Sequence, residues 1–150
     1  MKNSRWTLIV VVLGIITSLA AVERGGVRVT AELIDADRLA VTFTPQGFEP
    51  WHLYGLQLPE GVSVGKPTTV RVPADSWLRA TGPATADQAT HPLVIAGMDP
   101  VPVFPAGPVT LTLPVAVDTA AATGPTQVLV GYMACTDEQC QMPVQDLPVP

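Results

Sequence analysis

Prolines interrupt this chain so often that a helical domain is excluded before any motif is considered. All 16 of them fall between Pro45 and Pro150, and a proline inside a helix removes a backbone hydrogen bond and clashes with the preceding turn. No helical periodicity runs through the region after the N-terminus. A period of two takes its place: Val27, Val29, Ala31 and Leu33 alternate with Arg28, Thr30 and Glu32, and after Asp35-Ala36-Asp37 the theme returns at Leu39, Val41 and Phe43. This predicts two half-buried strands joined by a short turn. Val109, Leu111, Leu113 and Val115 alternate with Thr110, Thr112 and Pro114 in the same way, and 127–133 reads as a mostly apolar strand. Trp51 to Leu58, Thr69 to Val72 and Pro92 to Ile95 are weaker strand candidates. Seven or so short strands in a chain of 150 residues predict one all-β domain, a β-sandwich around one core. Ala74 to Ala89 and Thr119 to Pro125, rich in small and polar residues, are expected to be exposed loops.

The N-terminus has a different character. Lys2 and Arg5 precede an apolar run from Trp6 to Val22 that Gly14, Thr17 and Ser18, besides Thr7 at its start, interrupt. A positive segment, an apolar segment and then small residues is the order of an export signal, and Ser18-Leu19-Ala20 fits signal-peptidase cleavage after Ala20. The alternative is an uncleaved hydrophobic anchor helix reaching about residue 22, since the run is at the lower edge of spanning length. Either form puts the folded part outside the cytoplasm, with a membrane involved only through this segment. Removing residues 1–20 takes two of the eight basic residues and none of the 13 acidic ones, so the formal charge moves from −5 to −7. That balance, with no run of Lys or Arg, excludes nucleic acid as a partner class and disfavours anionic membrane surfaces.

An exported chain with two cysteines is expected to meet an oxidising compartment. Cys135 closes a predicted strand and Cys140 opens the next segment, with Thr136, Asp137, Glu138 and Gln139 turning between them. That separation allows a disulfide. As a structural staple so small a ring contributes on the order of 2 kcal/mol, which a domain of this size does not depend on, whereas a lone short-range pair suits thiol exchange. Asp137 and Glu138 disfavour a thiolate beside them. The oxidised pair is therefore expected to be attacked by a partner's thiolate.

Two other readings compete. Met133, Cys135, Cys140 and Met142 form a Met-x-Cys and Cys-x-Met pattern whose soft sulfurs suit Cu(I). A non-catalytic immunoglobulin-like binding module with an incidental disulfide is the third class. A bridge buried between sheets favours that module, and an exposed bridge at a sheet rim favours exchange. His52 and Tyr54 are two apart and share a strand face, where they either donate hydrogen bonds beside the cysteines or pack beneath them. His91, before Pro92, is expected at the surface. No phosphate-binding glycine loop or metal-binding histidine motif occurs.

The order Tyr132-x-x-Cys135, four residues, Cys140-x-x-Pro143, preceded by Trp51-His52-Leu53-Tyr54 with Pro45 and Gly47 before them, resembles the N-terminal periplasmic domain of DsbD-type thiol:disulfide interchange proteins. The resemblance spans residues 27–148. It implies an immunoglobulin-like β-sandwich, no cofactor, and a cysteine pair that carries reducing equivalents from a thioredoxin-like or membrane-embedded thiol reductase to periplasmic disulfide-containing acceptors. It also implies that Cys140 forms the mixed disulfide with partners and Cys135 resolves it. Tyr132, His52 and Tyr54 would support the pair. The cap loop of that family corresponds to Met98 to Phe104, with Phe104 as the capping ring, although Asp99-Pro100-Val101-Pro102 replaces an aromatic-rich tip.

Overall fold

The computed structural model describes residues 20–118 and 127–150. The expected signal or anchor falls almost wholly on residues 1–19 and the expected loop Thr119 to Pro125 on 119–126, so both lie outside the described residues.

The first three strands are β1 (Ala21–Arg24), β2 (Val27–Asp35) and β3 (Arg38–Pro45). β2 and β3 are the hairpin that the alternation predicts, with Val29 opposite Phe43 and Ala31 opposite Val41. Short segments follow: β4 (His52–Leu53), β5 (Thr69–Arg71), β6 (Leu78–Ala80), β7 (Thr85–Ala86), β8 (His91–Leu93) and β9 (Val101–Val103). The chain then makes the long β10 (Val109–Val117), β11 (Val128–Tyr132), the two-residue β12 (Ala134–Cys135) and β13 (Val144–Val149).

One six-stranded sheet runs β1-β2-β3-β10-β6, with β7 also on β10, and a three-stranded sheet runs β13-β11-β5. Their facing residues close one core. Val27, Val29, Leu39, Val41, Phe43, Val109, Leu111 and Leu113 from the first sheet share a single buried cluster with Val128, Val130, Tyr132, Val144 and Val149 from the second. Along β10 the odd positions from Val109 to Val115 are buried and the even ones are not, which is how a strand covers one sheet face and leaves the other to water. The described residues thus form an all-β, two-layer sandwich.

Three expectations need correction. Ala74 to Ala89 is not a plain loop, because β6 and β7 pair with β10 at Val115 to Val117 and at Leu111 and Thr112. Leu78 is buried there, and the Asp87 carboxylate accepts from the Thr110 N–H at 2.9 Å. Two- and three-residue strands carry no alternation to detect, and what fixes them is the free edge of a strand some 30 residues on. Trp51 to Leu58 is strand only at His52–Leu53; beyond it Tyr54 makes single bridges to Pro67 and Val103. The strand total among the described residues is also larger than seven, the surplus being these short rim pieces.

Two small pairs, β4 with β12 and β8 with β9, stand beside the main sheets. Between them lies a second buried cluster of Tyr54, Val101, Val103 and Cys135, against which Leu58, Leu93, Ile95 and Met133 pack. This satellite core carries the cysteines.

Candidate redox site

The site begins where β11 ends. The β11–β13 register shifts between Val130 and Tyr132, and after Met133 the chain pairs with a new partner, Ala134 opposite Leu53 and Cys135 opposite His52. Thr136 then locks the turn. Its hydroxyl accepts from the N–H groups of Glu138 and Gln139, both at 3.2 Å, and its own N–H donates to the Gln139 carbonyl at 2.7 Å. A threonine at the first turn position offers the backbone a local acceptor in this way. The Gln141 N–H closes the hairpin on the Ala134 carbonyl at 2.8 Å.

Across this turn Cys135 and Cys140 form a disulfide, with Cα atoms 4.0 Å apart. The two ends differ sharply: Cys135 is 1% exposed, whereas Cys140 is at the surface. The bridge joins two arms of one turn and does not tie the sheets together.

On the buried side the Tyr54 hydroxyl donates to Cys135 Sγ at 3.6 Å. Tyr54 is fixed from three directions. Its carbonyl accepts from the buried Thr68 hydroxyl at 2.6 Å, its backbone bridges Pro67 and Val103, and Gly65 lies on its ring. A Cβ at Gly65 would fall 2.5 Å from Tyr54 Cε1, and the glycine holds φ +87°, so glycine is required twice over. Burial pushes the Tyr54 phenol above its ordinary value, which keeps its proton in place as a donor.

His52 stands edge-on to Tyr54 with ring centroids 6.2 Å apart. It is 6% exposed, and its Nε2 has no hydrogen-bond partner among the described residues. Burial depresses the imidazole below its ordinary value; Asp137 works against this shift and His91 adds to it. The ring is neutral at neutral pH.

On the open side, a cleft of ≈ 650 Å³ lies beside Cys140, lined by Tyr54, Leu93, Val94 and Ile95 on one wall and the Thr136 to Cys140 turn on the other. A smaller hollow of ≈ 270 Å³ separates that turn from Glu49 and Pro50. It is bridged where Gln139 Nε2 donates to Glu49 Oε2 at 3.0 Å.

Of the residues singled out in the sequence, Cys135, Cys140, His52 and Tyr54 come together. Tyr132 does not join them. It is fully buried, edge-on to Phe43 at 5.5 Å, and its hydroxyl donates to the Arg24 carbonyl at 2.8 Å; burial pushes its phenol up to about 12. Phe104 lies in the main core at 2% exposure, and its N–H donates to the Leu53 carbonyl at 2.8 Å. Met98 to Phe104 therefore does not cap the bridge with an aromatic ring. The wall facing Cys140 comes from just before it, at Leu93 to Ala96. Met133 packs in the satellite core, while Met142 is 79% exposed and lines a separate groove with Arg24 and Gly25. Gly65, Thr136 and Glu49 are contributions that sequence reasoning missed.

Fold and site define an all-β sandwich domain with a disulfide across an exposed turn. Among solved structures the chain is similar to the reduced form of the DsbD N-terminal domain from Neisseria meningitidis, at 20% identity over 79% of each chain and a TM-score of 0.49. It is also similar to the GAE domain of yeast GGA1, at 11% identity over 85% of this chain and 94% of that one, with a TM-score of 0.35. No family model matches the sequence, and no curated protein matches it.

Proposed function

We propose that this chain is an extracytoplasmic thiol:disulfide exchange domain in which Cys140 is the sulfur that partners attack and Cys135 is the sulfur that leaves. The observation that carries the reading is the asymmetry of the bridge: an exposed Cys140 beside an open cleft, and a Cys135 at 1% exposure against a hydroxyl donor. Attack on a disulfide needs access to one sulfur and stabilisation of the other.

Exchange proceeds through a mixed disulfide. A partner thiolate bonds to Cys140 Sγ, the Cys135–Cys140 bond breaks, and Cys135 departs as a thiolate. The Tyr54 O–H already directed at Cys135 Sγ becomes a charge-assisted hydrogen bond at that moment, stronger than the one made to the neutral disulfide. His52 Nε2, opposite Cys135 in register and unpartnered in the oxidised form, is a second group that gains from the new charge. A second partner thiol then attacks the mixed disulfide, Cys140 is released, and each cysteine takes up a proton. Two electrons and two protons have passed from the partner dithiol to this pair. Run in reverse, the reduced pair passes them to an acceptor disulfide, and relative reduction potentials set the direction.

This reading needs no cofactor. Donors of the matching class are thioredoxin-like or membrane-embedded thiol reductases, and acceptors are periplasmic proteins with reducible disulfides. The test is trapping. With Cys135→Ala, Cys140 should accumulate as a stable mixed disulfide with a partner in intact cells, while Cys140→Ala should trap none. Absence of adducts from both variants, together with a wild-type disulfide inert to dithiothreitol, would overturn the proposal in favour of a structural staple.

A further inference from the structure

Five large apolar side chains stand exposed among the described residues: Leu33 at 38%, Ile34 at 51%, Phe48 at 109%, Val94 at 75% and Met142 at 79%. Single exposed hydrophobics are ordinary, so position decides whether they mean anything. The three most exposed are each tied to the cysteine turn, one through space and two through chain neighbours. Phe48 adjoins Glu49, whose carboxylate holds Gln139 of the cysteine turn at 3.0 Å. Val94 lines the cleft shared with Cys140, and Met142 lies two residues beyond that sulfur. Leu33 and Ile34 belong to the far end of β2. Gly25 and Gly26 at its near end abut Val144 and Gln141, and eight residues of strand from Gly26 to Ile34 span roughly 25 Å.

In the two hollows beside the same sulfur charge has one sign, while Arg24 lies apart in the groove with Met142. Asp137 and Glu138 sit on the turn and Glu49 faces it across the small hollow, and no Lys or Arg lines either that hollow or the larger cleft. An anionic small thiol is repelled from such a rim, whereas a cationic partner is drawn to it. Concentrated exposed apolar surface at a functional group marks an interaction site.

We propose that Phe48, Val94 and Met142 form an apolar docking ring around Cys140 for a protein segment whose reactive cysteine has apolar neighbours and cationic residues outside them. This rests on the exchange reading of the cysteine pair and specifies its partner. The covalent step is the one given above: the segment's thiolate bonds to Cys140 Sγ, and Cys135 departs as a thiolate and takes a proton.

The test uses the full oxidised chain and three synthetic peptides, Lys-Leu-Cys-Leu-Lys, Lys-Gly-Cys-Gly-Lys and Glu-Leu-Cys-Leu-Glu, with each time point quenched in excess alkylating agent so that the freed Cys135 is capped before it expels the peptide, the capped adduct followed by mass and rates expressed per thiolate. The leucine-lysine peptide is expected to react at least about tenfold faster than either of the others. In the Phe48→Ser/Val94→Ser/Met142→Ser variant the leucine-to-glycine rate ratio should fall to near one. In Asp137→Asn/Glu138→Gln the lysine-to-glutamate ratio should fall instead. Because each ratio is taken within one protein, a general change in disulfide reactivity cancels. Equal rates for the three peptides on the wild-type chain, or ratios that survive the substitutions, would overturn the docking ring while leaving exchange intact. No adduct with any peptide would overturn the exchange reading and the ring with it.

Discussion

Tyr54 carries the most direct chemical consequence of any single residue in the site. Its hydroxyl is 3.6 Å from Cys135 Sγ, a weak contact to a neutral disulfide and a strong one to a thiolate. Tyr54→Phe keeps the ring, the packing on Gly65 and the fold, and should slow reduction of the disulfide by dithiothreitol about tenfold, equivalent to roughly 1.4 kcal/mol. Unchanged rates would mean that the hydroxyl is structural. His52 makes a different prediction because burial depresses its pKa. In acid the unfolded chain takes up a proton at His52 that the folded chain refuses, so the folded state loses stability as pH falls below the ordinary imidazole value of 6.5 and through the depressed one. Above 6.5 the contribution is fully present. His52→Gln keeps a nitrogen near Nε2 but does not titrate. Urea melts at pH 5 and pH 7.5 should show a smaller stability difference for this variant than for the wild type, and an identical difference would refute the assignment.

At the scale of elements, the long strands were legible in the sequence and the short ones were not, for a physical reason. β2, β3 and β10 each run eight or nine residues, so a buried face repeats often enough to leave a pattern. β4, β7 and β12 have two residues each and exist only because another strand presents free backbone groups to them. The same limit applied to the site. Cys135 and Cys140 announced themselves by residue type and spacing, and His52 with Tyr54 by sharing a strand face. The wall at Leu93 to Ala96 and the tether from Glu49 depend on how separate segments come together. Phe104 and Tyr132 misled because an aromatic near a motif reads the same whether it serves the site or the core. The hairpin disulfide closes a ring so short that its reduction should lower stability by about 2 kcal/mol or less. Leu111→Ala in the middle of β10, fully buried, should cost about 2–5 kcal/mol. If dithiothreitol destabilised the domain more than Leu111→Ala does, the bridge would be a staple first.

On the scale of the whole molecule, the two sheets also meet where β1 and β2 approach β13, and there the role of β1 can be tested. β1 pairs with β2 from Ala21 opposite Thr30 to Arg24 opposite Val27, yet most of its own side chains face water. Its apolar burial is therefore slight. Its larger contribution is one backbone group: the Arg24 carbonyl is the acceptor for the Tyr132 hydroxyl at 2.8 Å, and the Tyr132 ring sits in the common core between the sheets. A chain starting at Ala21 keeps this contact and should melt within a few degrees of the full-length chain. A chain starting at Val27 loses both the edge strand and the acceptor, leaving a buried hydroxyl at cost of about 1–3 kcal/mol. Restoring an apolar ring without the hydroxyl separates the two effects: Tyr132→Phe in the shorter chain should recover part of the loss, whereas in the chain starting at Ala21 it should be destabilising. If Tyr132→Phe has the same effect in both backgrounds, the hydroxyl is not coupled to β1, and the strand contributes only by covering the sheet edge.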